Sequence, residues 1–196
     1  MKKVILAVAA MLVFITGHSQ KEGGFRVGLD AGFVPSSGGG GALLSLEPKY
    51  NIADNMNIGL RIGVAAKVRN VNFSDADTST KASASNSYVA TYDYYFNTAE
   101  KTFVPYLGAG LGYYNIANIE FDDTDNSNDF NADASGKFGG LIRAGFEWSK
   151  FRMGLEYNLV PESTFQDISG NNKGTVANSY FGIHLGFFVG GGKWGK

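Results

Sequence analysis

From residue 25 onward, apolar side chains recur at every second position along most of the chain. In residues 25–33 the odd positions are apolar, and the even ones are Arg26, Gly28, Asp30 and Gly32. Leu44, Leu46 and Tyr50 alternate with Ser45, Glu47 and Lys49. Residues 56–68 set Met56, Ile58, Leu60, Ile62, Val64, Ala66 and Val68 against Asn57, Gly59, Arg61, Gly63, Ala65 and Lys67. A tyrosine-rich run then alternates with Val89, Thr91, Asp93 and Tyr95, and residues 103–114 oppose Leu107, Ala109 and Leu111 to Gly108, Gly110 and Gly112. Three more runs, 138–148, 151–159 and 181–189, place Arg143 and Glu147, Arg152 and Glu156, and His184 on the polar phase. A period of two predicts strands with two chemically distinct faces. Eight such segments of about ten residues have the length of tilted transmembrane strands.

The connections carry a separate signal. Residues 51–55, 97–102 and 149–150 make short links, whereas 70–87, 115–136 and 161–178 are long and polar; 35–41 is modest. Short turns at one end and long loops at the other are the layout of an outer-membrane barrel. The expectation is an all-β, eight-stranded antiparallel up-and-down transmembrane β-barrel.

Alternation alone also fits a soluble lipocalin-like carrier with a dry core. Two features favour an apolar face turned to lipid. The polar face is crowded with glycine, which suits the interior of a narrow barrel filled by its own side chains. It also carries Arg26, Lys49, Arg61, Lys67, Arg143 and Arg152 with Asp30, Glu47, Asp93, Glu147 and Glu156, a near-balanced set able to neutralise itself as a lumen network that His184 joins. On the apolar face, Tyr50, Phe96, Phe103, Trp148 and Phe151 fall beside the short turns, and Tyr88, Tyr113, Phe138 and Phe181 beside the long loops. Two aromatic belts are expected where strands cross both membrane interfaces.

The ends and the composition narrow the picture further. Lys2 and Lys3, the uncharged run 4–15, and small residues at Gly17 and Ser19 have the layout of a secretory signal peptide. The run is too short to span a bilayer as a helix. Residues 1–19 are therefore expected to be a signal peptide, cleaved after Ser19, and 20–196 one barrel domain. Removing Lys2 and Lys3 takes the formal net charge from −1 to −3, so nothing points to nucleic acid. The chain has no cysteine, which excludes disulfide staples and lipoprotein-type acylation.

Pro105-Tyr106-Leu107-Gly108-Ala109-Gly110-Leu111-Gly112-Tyr113, Lys137-Phe138-Gly139-Gly140, Tyr180-Phe181-Gly182 and the signal segment before Gln20 resemble the porin-like outer-membrane β-barrel domain family of Bacteroidota. That family is similar to the small OmpX/OmpA-type barrels. The resemblance implies residence in the bacterial outer membrane. One departure is the tail, residues 190–196, which follows the last strand where many such barrels end on an aromatic residue.

Candidate chemistry is sparse. His184 is the one histidine beyond the signal segment, and no nucleophile and orienting partner are identifiable around it, so no enzyme is expected. Asp122, Asp123, Asp125, Asp129 and Asp133 could offer oxygen ligands to calcium. The EF-hand pattern fails because Asn128 stands where glycine is needed, and a solvated loop is the reading. Residues 38–41 lack the lysine and hydroxyl of a phosphate loop. No cofactor or metal is expected, and the partners are outer-membrane lipid and an external ligand or protein met by the long loops. Eight strands leave an interior just filled by side chains, so a plugged, monomeric barrel is expected over a small or gated channel. A lipid-acting membrane enzyme is the remaining alternative.

Overall fold

The computed structural model describes residues 22–36, 39–72, 78–96, 102–121, 132–166 and 172–191. Eight long strands are β1 (Phe25–Ser36), β2 (Gly39–Ala53), β3 (Met56–Asn72), β4 (Thr78–Tyr95), β5 (Phe103–Phe121), β6 (Ala132–Trp148), β7 (Phe151–Leu159) and β10 (Tyr180–Gly190). Each pairs antiparallel with its neighbours, and β10 returns to pair with β1, closing a barrel in the order β1-β2-β3-β4-β5-β6-β7-β10. Two short strands, β8 (Ser163–Gln166) and β9 (Asn172–Val176), form a separate hairpin between β7 and β10.

The ladder is staggered. Paired residues lead from Arg26 through Lys49, Gly59, Thr91, Gly110, Leu141 and Asn158 to Tyr180. Extending the Phe33–Ile183 register puts Tyr180 opposite Ser36, ten residues beyond the start. Closing a sheet with such a shear forces the strands to tilt against the barrel axis, by about 40°.

The outward face is apolar throughout the tilted span. Leu29, Leu46, Leu60, Leu107, Leu111, Ile142, Leu155 and Leu185 are all exposed, Leu111 at 63%. Large apolar side chains in that number have no place on a water-facing surface. In lipid they meet a matching solvent, and closure leaves no strand edge unpaired there. Exposed Tyr50, Phe96, Phe103, Trp148 and Phe151 rim the end with the tight turns at 54–55 and 149–150. Tyr88, Tyr113 and Phe138 lie side by side in register across β4, β5 and β6 toward the other end. Phe103 and Tyr113 are ten residues apart on β5. At about 3.3 Å per residue and that tilt, they are separated by roughly 25 Å of height, the thickness of an apolar band.

The external connections differ from the sequence-based expectation. Residues 70–87 and 115–136 read as long loops, yet β3 and β4 stay paired out to Asn72 and Thr78, and β5 and β6 to Ile119 and Ala132. Beyond the membrane neither face must be apolar, so ladder hydrogen bonds carry the strands on without hydrophobic alternation to mark them. The third long connection, 161–178, holds the β8–β9 hairpin. Residues 1–19, the tail 192–196, Gly38, and Asp122, Asp123, Asp125 and Asp129 lie outside the described residues.

Candidate functional site

The inward face holds eleven of the twelve charged or histidine positions singled out above in fully buried surroundings: Arg26, Asp30, Glu47, Lys49, Arg61, Asp93, Arg143, Glu147, Arg152, Glu156 and His184. Lys67, nearer the outer end, is half-buried, with its ammonium 5.0 Å from the Tyr180 ring centre. Every second residue of each strand projects inward, which is why period two in the sequence brings these groups into one space.

At the level of the short turns, Arg26 of β1 reaches Glu147 of β6 with two hydrogen bonds of 3.0 and 2.5 Å. The Tyr95 hydroxyl donates to Glu147 Oε1 at 2.9 Å and accepts from Arg26. The Arg26 guanidinium lies 4.3 Å from the Phe188 ring centre, and Lys150 lies 4.8 Å from the same ring. Tyr95, Val104, Tyr106 and Phe188 pack together there as an apolar floor.

The middle level centres on Glu47 of β2. Arg143 donates to it from Nη1 at 3.1 Å and Nη2 at 2.6 Å, Arg152 from Nη1 at 3.0 Å, and Thr91 from its hydroxyl at 2.7 Å. Lys49 Nζ lies 3.1 Å from Glu47 Oε2 and also pairs with Asp93. Arg143 holds Asp93 with bonds of 2.8 and 2.9 Å. Gly108 stands in register between Asp93 and Arg143, on β5 between β4 and β6. A side chain there would occupy the space through which those two groups meet: a Cβ would fall against Asp93 Oδ1 and 2.9 Å from Arg143 Nε. Glycine at this position is what lets the ion pair form across a strand.

At the outer level, Arg61 of β3 grips both oxygens of Glu156 of β7 through Nη2, at 2.8 and 2.9 Å. Asn158 donates to Glu156 Oε1 at 2.9 Å, and Tyr114 donates to Asn158 at 2.9 Å. His184 has its Nδ1 3.4 Å from Glu156 Oε2 and its Nε2 3.4 Å from the Tyr106 hydroxyl, to which Arg152 Nε donates at 3.0 Å. Two apolar clusters lie on this side, one of Val89, Tyr114, Ile116, Leu141 and Val160, the other of Val34, Leu43, Ala65 and Tyr180.

Buried charges are tolerable only when paired and hydrogen-bonded, because each ion otherwise retains a desolvation penalty of several kcal/mol. Among the described residues every buried carboxylate has a cation within 4.0 Å, the loosest being Asp30, 3.9 Å from Arg152. The partners come from strands far apart in sequence, so the network pins the barrel across its width. Thr91, Tyr114 and Asn158 join it without having been singled out from sequence. Their place on the polar phase was visible, but nothing in a single chain says which hydroxyl or amide finds a carboxylate. A tyrosine, a histidine and a glutamate in line resemble a proton relay. All three are almost wholly shielded.

A family model described as outer membrane protein beta-barrel domain matches residues 5–187. No curated protein matches the sequence. Among solved structures the chain is similar to a major outer membrane protein from Thermus thermophilus, 14% identical, covering 85% of this chain and 99% of that one with a TM-score of 0.52. It is also similar to the N-terminal β-barrel domain of Pseudomonas aeruginosa OprF, 18% identical over 87% of this chain and 100% of that one, TM-score 0.46. A third is Ail, the attachment invasion locus protein of Yersinia pestis, solved with the heparin analogue sucrose octasulfate: 14% identical, 86% and 99% covered, TM-score 0.45.

Proposed function

The chain belongs to the outer membrane protein β-barrel domain family and resides in the bacterial outer membrane, and from that premise we propose that it is a non-catalytic barrel with a closed lumen. Its role on this reading is structural, or is exercised on the external side through the segments that join the strands. The observation that supports it most directly is Glu47, wholly buried at mid-lumen and joined to Arg143, Arg152, Lys49 and Thr91 from four other positions on the wall. Opening a water path past it would require breaking several charge-assisted bonds at once, each stronger than a neutral hydrogen bond. Eight strands are in any case too few for an aqueous channel.

The same reading takes residues 1–19 as a cleaved export signal and the barrel as a monomer in lipid. External ligands or proteins are then met outside the membrane, with no nucleic acid and no cofactor involved. Recordings in planar bilayers test it: the folded protein should be electrically silent. Reproducible single-channel steps would instead establish a small channel.

A further inference from the structure

We propose that the lumen holds one structural water molecule over Gly186, hydrogen-bonded to Asp30 of β1 and Arg152 of β7. It completes an ion pair that the two side chains do not close by themselves. The inference deepens the closed-lumen reading, and it rests on that reading for the water being sealed in rather than one of many in a hydrated pore.

Asp30 and Arg152 are both 2% exposed, and each keeps one group without a hydrogen-bond partner among the described residues. Arg152 commits Nη1 to Glu47 and Nε to the Tyr106 hydroxyl, each at 3.0 Å, which leaves Nη2. Asp30 accepts a long bond of 3.5 Å from the Ser45 hydroxyl on Oδ2, which leaves Oδ1. Buried polar groups of this kind call for a partner. The two charges come close without touching: Arg152 Nη1 stops 3.9 Å from Asp30 Oδ2, beyond the length of a hydrogen bond. Polar groups held apart at that spacing are where a bridging water sits.

A second pair in the same lumen shows what direct contact looks like. On β5, Gly108 stands in register between Asp93 and Arg143, and those two meet at 2.8 and 2.9 Å. On β10, Gly186 stands in register between Asp30 and Arg152 in the same way, and a Cβ there would fall on Asp30 Oδ1. Glycine clears the path in both cases, but only the first pair closes across it. Beside Arg152 there is also room at Gly28, where a Cβ would meet nothing nearer than 3.7 Å and would lie 3.8 Å from Arg152 Nη1. The open groups set the chemistry of the guest. It must donate to a carboxylate oxygen and accept from a guanidinium nitrogen. A simple cation has nothing to accept with and a simple anion nothing to donate, whereas water does both and takes its place on buried groups that lack other partners.

A crystal structure of the full chain in detergent, at a resolution that orders buried water, tests the site. One water should lie within about 2.7–3.2 Å of both Asp30 Oδ1 and Arg152 Nη2. Direct contact between the two side chains, absence of density between them, or a buffer ion in that place overturns the proposal. Asp30→Glu supplies a second test, because the added methylene should carry the carboxylate to Arg152 and expel the water. Loss of that one water with a direct bond to Arg152 supports the bridge; water retained beside such a bond overturns it. Heat-dependent gel migration shared with the wild-type protein shows that the variant is folded. Single-channel steps in planar bilayers would refute the closed lumen, whereas a direct Asp30–Arg152 bond in the wild-type protein refutes the bridge and leaves the lumen closed.

Discussion

Arg26 and Glu147, 121 residues apart in sequence, form a two-pronged ion pair that ties the first strand of the barrel to the sixth. The two strands are not neighbours in the sheet; β10 and β7 lie between them. The bond therefore spans the lumen, and it does so where Tyr95 adds a third hydrogen bond to the same carboxylate.

Removing one member of that pair should cost more than removing both. Arg26→Met takes from buried Glu147 the cation that lies 2.5 Å from it, a loss of about 3–5 kcal/mol. Arg26→Met combined with Glu147→Leu should recover a large part of it. Urea unfolding from micelles, followed by the fluorescence of the adjacent Trp148, gives both values. Equal losses in the single and double variants would mean that the pair itself supplies the stability.

Glu47→Gln should be the more damaging of the two isosteric carboxylate changes. It keeps the shape but leaves Arg143, Arg152 and Lys49 with less negative charge among them, whereas Glu147→Gln affects Arg26 chiefly. The same unfolding assay should rank Glu47→Gln below Glu147→Gln in stability. The reverse order would show that Asp93 alone suffices for the central cations.

Two inward-facing glycines separate close packing from mere burial. At Gly108 a Cβ strikes Asp93 and crowds Arg143, and Gly108→Ala should cost about 1–3 kcal/mol by overpacking. At Gly28 the nearest atom to a Cβ is 3.7 Å away, and Gly28→Ala should be neutral or slightly stabilising, because alanine narrows the unfolded ensemble. Midpoints of urea unfolding for the two variants decide it, and matching losses would rule out the crowding at Gly108.

Charge on the lipid face should be penalised by depth. Leu60→Arg or Leu111→Arg, on outward positions near the middle of the apolar band, should cost about 2–4 kcal/mol. Ala65→Ser, inward and opposite Ser85, should be mild. Folding yield into lipid vesicles and unfolding free energies check the contrast; an innocuous Leu111→Arg would mean that this face does not meet hydrocarbon.

The barrel was legible wherever lipid imposed a rule. Residues 56–68 read as a strand because Ile58, Leu60, Ile62 and Val64 must face hydrocarbon, and the structure places them there. Residues 78–87, rich in serine, threonine and alanine, carry no such constraint, and β4 begins ten positions earlier than Tyr88 suggests. The β8–β9 hairpin left no alternating trace for the same reason. Inward polarity could be read from period two, but partnership could not: Arg143 stands in register with Glu156 yet binds Asp93 and Glu47, while Glu156 goes to Arg61. Such choices depend on reach across the lumen, which is set by the stagger of the whole sheet.

The shared reliance of Arg143, Arg152 and Lys49 on Glu47 also constrains descent. A lone change there leaves three cations short of negative charge, so the interior drifts most readily through compensating pairs, each step passing through a weaker ancestor. Residues outside the membrane answer to no such constraint. Lineages of this protein should diverge fastest in their external segments, keeping an old interior beneath new surfaces.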